Sequence, residues 1–269
     1  MNERLFDGAS RYYAQNRPAY PPALVEKLYD ELNLSELANV MDLGCGPVSL
    51  SLALAPGVQR VVGVDPNAEM LEQARAVIGA AKATNIELVN AHAEEFVEHQ
   101  RSGSFDGTVI GRAFHWMDRP RLLASLSEVL TDKGGVALAT DGGLGGMRGS
   151  QLIPGTWRGL VAEMVTRHLG PTRLTAGNQL AESADFDRCF RESEFSFVET
   201  FTFTETGAWT FKQLIGYLNS TSYARPDRWQ GNQPRFESEL LEALQPYMQN
   251  GELPYEEEFE LIVAKRQNG

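Results

Sequence analysis

The chain of 269 residues is 42% hydrophobic and 22% charged, a balance that lets it bury a core without disulfides or a metal. Its net charge of −12 is spread over both halves, which argues against nucleic acid and anionic membranes as partners. Two cysteines and four histidines stand in no zinc-binding spacing, and no apolar run suits a signal peptide or a membrane span, so we expect a soluble, cytoplasmic, metal-free protein.

The first 140 residues alternate short apolar runs with amphipathic patterns. Strands are predicted at residues 40–43, 60–64, 86–89, 105–110 and 135–140, and helices at 23–32, 50–55, 67–83, 94–100 and 120–130. This alternation predicts an α/β fold with a doubly wound, mostly parallel sheet and right-handed crossovers. The strands are apolar nearly throughout, which indicates helices on both faces of the sheet.

The pattern changes after residue 140. Five glycines within residues 142–149 predict a flexible connection. Helices follow within 154–194, notably at 157–169, and again at 211–218 and 235–244, with strands at 195–204 and 257–264. We expect one domain, 1–269. Its parts are a cofactor-binding core with an N-terminal cap (1–140), helical lid or substrate elements (141–194 and 205–250) and the last strands of the sheet (195–204 and 256–265).

A small-residue turn follows the first predicted strand. Gly44 and Gly46 allow a tight turn whose backbone N–H groups can face a ligand. Asp65 ends the second predicted strand, 19 residues after Gly46, across the same crevice. A carboxylate there can accept hydrogen bonds from ribose hydroxyls, so the sequence predicts a nucleoside-type ligand.

The loop also limits which nucleoside fits. A dinucleotide site needs a third glycine, but Ser49 stands in its place. Asp42, two residues before Gly44, would repel a pyrophosphate and suits an ammonium or a sulfonium group instead. S-adenosylmethionine carries an amino group and no phosphate.

The turn and the segments around it resemble the motifs of a known family. Residues 40–46 resemble the D-x-G-x-G motif of class I S-adenosylmethionine-dependent methyltransferases, and residues 61–70, 91–96, 105–116 and 126–136 resemble their later motifs. The similarity is strongest to the small-molecule branch that includes trans-aconitate methyltransferases, and the segments 6–22 and 209–223 also resemble that branch.

The resemblance implies a Rossmann-like, seven-stranded sheet that ends in an antiparallel pair, with S-adenosyl-L-methionine as cofactor and S-adenosyl-L-homocysteine as product. Asp65 would hold the ribose, Met70 would pack on the adenine, and Ala93 and Glu94 would border it. The full set of implied cofactor contacts is Tyr13, Arg17, Asp42, Gly44, Cys45, Gly46, Asp65, Pro66, Met70, Ala93, Glu94, Arg112 and Ala113. Many relatives have Thr-Gly where this chain has Pro47-Val48; because valine restricts φ and ψ, we expect a shifted loop.

Methyl transfer from a sulfonium is an in-line displacement with a good leaving group, so positioning dominates and a base is needed only for a protonated nucleophile. His115, just after the fourth strand, is the best candidate for a base, but we favour a role in ordering the loop or lining the pocket. The predicted substrate-lining residues are Phe114, Trp116, Tyr217 and Tyr223. We read Glu256, Glu257 and Glu258 as a solvated strand start.

The resemblance implies a small metabolite or natural product, methylated on oxygen, nitrogen or carbon, as the acceptor. Residues 112–115 are Arg-Ala-Phe-His and lack the Asp/Asn-Pro-Pro-aromatic motif of DNA amino-methylating enzymes. Two alternatives stay open: a nicotinamide-dependent oxidoreductase, opposed by Asp42 and the missing glycine, and a non-catalytic S-adenosylmethionine-binding scaffold. The chain is expected to be a monomer or a homodimer. Its negative charge disfavours an anionic acceptor unless Arg17, Arg112 or a lid arginine neutralises it.

Overall fold

A computed structural model describes residues 8–141, 155–170 and 183–267. Within these ranges a single seven-stranded sheet has the order β3-β2-β1-β4-β5-β7-β6. Its strands are β1 (Asn39–Leu43), β2 (Arg60–Val64), β3 (Ile86–Val89), β4 (Phe105–Gly111), β5 (Leu130–Asp141), β6 (Phe197–Thr210) and β7 (Glu252–Lys265).

Helices precede, separate and follow the strands. They are α1 (Ser10–Asn16), α2 (Pro22–Glu31), α3 (Ser49–Leu54), α4 (Ala68–Ala81), α5 (Ala93–Glu98), α6 (Arg119–Val129), α7 (Trp157–Leu169), α8 (Ser183–Arg191), α9 (Phe211–Asn219) and α10 (Gln233–Leu244). Short 3₁₀ turns include Phe114–Trp116, directly after β4. Among the described helices, none is long and apolar enough to cross a bilayer.

The sheet is mixed. β1 pairs in parallel with β2 and β4, β2 with β3, and β4 with β5. β7 is antiparallel to both β5 and β6. The mostly parallel sheet and its final antiparallel pair are therefore confirmed. Because β1, β2, β3 and β4 run the same way, the residues that follow each of them meet at one edge, the carboxyl edge.

Successive side chains of a strand point to opposite faces of the sheet, so the sheet has a hydrophobic core on each face. Val40 and Val61 face α2, whose Leu24 and Leu28 are fully buried, while the neighbouring Met41 faces the other side with α6. Each buried leucine contributes about 1.5–3 kcal/mol, so packing rather than helix propensity holds α2 on the sheet.

The last two strands are longer than predicted, which corrects the assignment of residues 205–210 to the lid. They form the outer half of β6 and pair with β7 from Glu205↔Glu257 to Thr210↔Glu252. In this stretch, Glu-Thr-Gly-Ala-Trp-Thr, three residue types that are depleted in strands interrupt three that favour them, and the ladder with β7 continues through all six. The boundary at residue 141 is also wrong, since Asp141 is the last residue of β5.

The outer halves of β6 and β7 carry a third core with α7, α9 and α10, in which Trp157, Trp209 and Trp229 are buried. Glu257 lies in this part of β7 and is 2% exposed, with its carboxylate 2.6 Å from the guanidinium of Arg158. The reading of Glu257 as a solvated residue is therefore wrong, because a buried ion pair holds it.

A helical lid stays a prediction. The predicted connection at 142–149 and much of 141–194 lie outside the described residues. Of the described part, α8 buries Phe186 and Phe190 in the main core against Phe114. This helix therefore belongs to the body of the fold.

Candidate functional site

The turn after β1 needs glycine at two positions for different reasons. Gly44 has φ +70°, and a Cβ there would lie 2.4 Å from the Cβ of Ala113. The backbone of Gly44 therefore packs directly against the side chain of Ala113, in the segment after β4. Gly46 has φ +51°, but no described atom lies within 4 Å of where its Cβ would be. Gly44 thus allows the turn after β1 to pack closely against the segment after β4, whereas Gly46 borders open space.

Val48, two residues on, lies in the same turn. It is fully buried and has φ +62° in the left-handed region, where a β-branched residue is strained by about 1–3 kcal/mol. The strain lies immediately before α3, and a shift of the loop relative to other proteins stays a prediction.

Asp65, after β2, organises the edge of this open space. Its Oδ2 accepts a hydrogen bond from the N–H of Gly46 at 2.9 Å, and its Oδ1 accepts one from the N–H of Asn67 at 2.8 Å. Asn67 in turn caps α4 by accepting from the N–H of Met70 at 2.9 Å. Burial raises the pKa of Asp65. Each carboxylate oxygen keeps a second lone pair, which is what a vicinal diol would need.

Asp42, the last but one residue of β1, is 1% exposed. Its Oδ2 accepts hydrogen bonds from the backbone N–H and the hydroxyl of Ser51, at 3.0 and 2.5 Å, which ties β1 to α3. Its Oδ1 has no hydrogen-bond partner among the described residues. Burial raises the pKa of Asp42 to about 7, so this carboxyl is poised between its two charge states at neutral pH.

We expect Asp42→Asn to remove part of the pH dependence of folding. The folded pKa of about 7 exceeds the unfolded value, so the stabilisation is present below about pH 4 and is lost as pH rises through 7. Between about pH 5 and 7 the wild type should lose on the order of 2 kcal/mol relative to the variant, whose amide oxygen can still accept both Ser51 bonds. Urea unfolding at both pH values measures this difference; equal losses in the two proteins would contradict it.

The N-terminal helix α1 contacts α4 and α9, and its role as a cap over the cofactor stays a prediction. The N–H of Gly8 donates to Glu69 on α4 at 2.9 Å. At the other end of α1, Arg17 lies over the rings of Tyr13 and Tyr217, at 4.8 and 4.6 Å, and donates to the Tyr217 hydroxyl at 3.2 Å. α1 therefore joins α4 to α9, and it brings together three of the residues predicted from the sequence.

The side chain of Arg112, after β4, makes contacts that stabilise the fold. It forms a buried ion pair with Asp141 at 2.5 Å and donates to the carbonyl of Pro18 at 2.9 Å, with its guanidinium over the ring of Tyr20. A contact with a cofactor would have to come from its backbone, which has φ +55°. Asp141 and Tyr20 were missed from the sequence because the pairing joins the end of β5 to the N-terminal segment.

The 3₁₀ turn after β4 separates two aromatic residues that the sequence grouped together. Phe114 is 2% exposed and packs between Phe186 and Phe190, with ring centroids 5.2 and 5.5 Å away. The prediction of Phe114 as a substrate-lining residue is thus corrected to a core residue. Trp116 is only half-buried and lies 4.5 Å from the ring of His115.

His115 has an unusual environment. Burial, together with the positive charges of Arg119 and Arg17, lowers the pKa of His115 to about 4, so its ring is neutral at pH 7. Its Nδ1 is buried and has no hydrogen-bond partner in the described part of the chain. The ring therefore has one hydrogen-bonding atom that no described residue uses, and it is a weak base.

The other predicted contacts lie along the same edge. Met70 and Ala93 are buried, Glu94 accepts a hydrogen bond from the N–H of Asp118 at 2.6 Å, and Cys45 packs against Gly63. Burial raises the pKa of the Cys45 thiol, so the thiol stays protonated and unreactive. Its side chain serves for packing, and a contact of Cys45 with a ligand would have to come from its backbone. Pro66 and Tyr223 are half-buried.

The geometry can be compared with known proteins. Residues 40–134 match the family described as a methyltransferase domain. This segment contains the turn after β1, Asp65 and the turn after β4, which together make the edge described above. The matched methyltransferase segment is about a third of the chain.

Two curated relatives support the match. The chain is 28% identical over 126 residues to a "probable S-adenosylmethionine-dependent methyltransferase" of Saccharomyces cerevisiae, covering 46% of this chain and 43% of that protein. It is 30% identical over 133 residues to an "uncharacterized methyltransferase" of Mycobacterium tuberculosis, covering 49% of this chain and 50% of that one. The chain thus spans about half the length of these relatives.

The fold matches over a longer range. A structure from Anaeromyxobacter dehalogenans named a "putative type II methyltransferase" aligns with a TM-score of 0.61 over 93% of this chain and 97% of its own, at 21% identity. At that identity the likeness concerns the fold, including the elements after residue 134.

Proposed function

We propose that the chain is an S-adenosylmethionine-dependent methyltransferase that methylates a small molecule on oxygen, nitrogen or carbon. The observation that carries the proposal is the open space beside Gly46, whose edge is held by the buried carboxylate of Asp65. A backbone that approaches a ligand closely, next to an acceptor for ribose hydroxyls, is what an adenosyl group requires.

The charges at this site favour the proposed cofactor over a nicotinamide dinucleotide. Asp42 and Asp65 flank the turn, and both are buried. A pyrophosphate would meet these carboxylates at close range in a low dielectric, which is repulsive. The α-amino group of S-adenosylmethionine carries the opposite charge, and Oδ1 of Asp42 is a buried acceptor without a hydrogen-bond partner among the described residues.

In the bound state S-adenosylmethionine supplies an electrophilic methyl group on sulfur. The residues proposed to hold the acceptor are His115 and Trp116, directly after β4, and Tyr217 on α9, whose hydroxyl accepts a hydrogen bond from Arg17. Because the leaving thioether is neutral, holding nucleophile and methyl in line accounts for most of the rate.

We expect His115→Gln to lower turnover at least about tenfold while leaving the affinity for S-adenosylhomocysteine unchanged, because the ring touches the acceptor side of the site. With its pKa near 4, His115 should cause no inflection in rate between about pH 6 and 8. His99→Gln is the matched control, since His99 is exposed and bonds the carbonyl of Glu95. Full activity of His115→Gln would remove this residue from the reaction.

A methyl-transfer assay with labelled S-adenosylmethionine over a panel of metabolites tests the activity. Turnover of any small acceptor supports the proposal. Tight S-adenosylhomocysteine binding with no turnover of any acceptor supports the non-catalytic scaffold instead. Finer proposals follow from the sequence: an acceptor of the kind used by the trans-aconitate methyltransferase branch, no nucleic-acid substrate, a cytoplasmic location, and a monomeric or homodimeric state.

A further inference from the structure

We propose that Arg112 positions the turn after β1 for the cofactor, and that Asp141 holds Arg112 in place. Arg112 acts through Ala113 and Gly44, so its side chain needs no contact with the cofactor. The inference rests on the proposed function and deepens it, because it adds a positioning residue to the same site.

Three contacts fix the Arg112 side chain at the ends of two neighbouring strands, β4 and β5. Its Nε lies 2.5 Å from Oδ2 of Asp141, and its Nη2 donates to the carbonyl of Pro18 at 2.9 Å. Its guanidinium lies 4.4 Å from the ring centroid of Tyr20. The side chains of Arg112 and Asp141 are only 8% and 7% exposed. A planar guanidinium that is held on one face and along its edge has little freedom to move. Asp141, Pro18 and Tyr20 are named here the Arg112 clamp.

The backbone of Arg112 is strained. Its φ is +55°, in the left-handed region, which a residue with a Cβ occupies only at a cost in free energy. Its N–H donates to the carbonyl of Ala139 on β5 at 3.0 Å, which places the strained residue directly at the end of the sheet. Such a conformation persists only where the surrounding contacts determine it. The Arg112 clamp supplies these contacts.

Ala113 carries the effect to the turn after β1. It is buried, and its Cβ would lie 2.4 Å from a Cβ built on Gly44, so the two backbones are packed as closely as glycine allows. Gly46, two residues further on, donates its N–H to Asp65 at 2.9 Å. If residue 112 relaxes out of the left-handed region, Ala113 moves away from Gly44. The turn then loses the support that holds Gly46 beside Asp65.

The test is a calorimetric titration of variants of the whole chain with S-adenosylhomocysteine. The first variant combines Arg112→Gln with Asp141→Asn, which removes both charges together and leaves no unpaired buried charge. We expect at least about tenfold weaker binding than in the wild type, because the strained conformation is no longer held. Each protein is titrated at a temperature where circular dichroism shows it to be fully folded, so the affinity reports the site and not the stability.

Glycine separates the role of the backbone from that of the side chain. Arg112→Gly combined with Asp141→Asn also removes the clamp, but glycine adopts a positive φ without a steric cost. This variant should bind S-adenosylhomocysteine at least about threefold more tightly than the glutamine variant. A residue that served only to anchor the N-terminal segment would give both variants the same affinity.

The matched control removes a different buried ion pair. Arg158→Gln combined with Glu257→Gln eliminates the pair that joins α7 to the outer half of β7, in which the charged atoms are 2.6 Å apart. The control should be less stable than the wild type and bind S-adenosylhomocysteine equally well.

The inference is overturned if the glutamine variant binds S-adenosylhomocysteine as the wild type does, or if the control loses as much affinity. Equal affinities of the glycine and glutamine variants would overturn it as well. The titration of the wild type keeps the two levels apart. Absence of binding there rejects the proposed function, whereas binding that the Arg112 variants leave unchanged rejects only the positioning role.

Discussion

Gly44→Ala is expected to destabilise the protein by about 3 kcal/mol. The new methyl group would lie 2.4 Å from the Cβ of Ala113 and 3.2 Å from the Cε of Met117. Ala113 cannot rotate its side chain away, so the backbone after β4 has to move. The positive φ of Gly44 adds the cost of a left-handed alanine. Chemical unfolding measures the loss directly.

Alanine variants of two other glycines distinguish the steric clash from the cost of a positive φ. Gly103 has a similar positive φ, +65°, but no described atom lies within 4 Å of the methyl group that Gly103→Ala would add, so this variant should cost only about 1 kcal/mol. Gly46→Ala meets equally open space and should also cost only about 1 kcal/mol, because its φ of +51° is positive too, yet it would place its methyl where the cofactor is expected. Equal stability of the Gly44 and Gly103 variants would show that the turn after β1 does not contact Ala113.

The second large effect is on cofactor affinity. We expect Asp65→Ala to weaken binding of S-adenosylhomocysteine about 100-fold, because two hydrogen bonds to a buried carboxylate are lost together. The residue also holds the N–H groups of Gly46 and Asn67, so the open space would lose its shape as well. Calorimetric titration gives the affinity. Asp65→Asn keeps the volume and one oxygen, and it should fall between the wild type and Asp65→Ala.

Asp106→Ala is the matched control. Its carboxylate also accepts a backbone hydrogen bond, from the N–H of Asn39 at 2.9 Å, but at the opposite edge of the sheet. It should reduce stability slightly and leave S-adenosylhomocysteine binding unchanged. An unaltered affinity in Asp65→Ala would reject the assignment of the ribose site.

Local sequence patterns predicted the first five strands within a few residues, except the start of β5, because each is a short apolar run bounded by turn residues. The same holds for the site: Gly44, Gly46 and Asp65 stand at strand ends, where parallel strands must bring them together. Asn67, the first residue of the helix predicted at 67–83, caps α4.

Contacts between distant parts of the chain could not be read in this way. The pairing of Arg112 with Asp141, the burial of Glu257 by Arg158, and the packing of Phe114 under α8 depend on tertiary placement. The outer half of β6 has a similar origin, because pairing with β7 continues the strand through Glu205, Gly207 and Ala208, residue types that are depleted in strands. Sequence periodicity carries no signal for such pairs.

The central claim is that the edge formed by Gly46 and Asp65 binds an adenosyl group without a pyrophosphate. Calorimetric titration of the whole chain with S-adenosylhomocysteine and, separately, with NADH tests it most directly. Binding of S-adenosylhomocysteine at about micromolar Kd, with no binding of NADH, is the result predicted here. Binding of NADH without S-adenosylhomocysteine would contradict it.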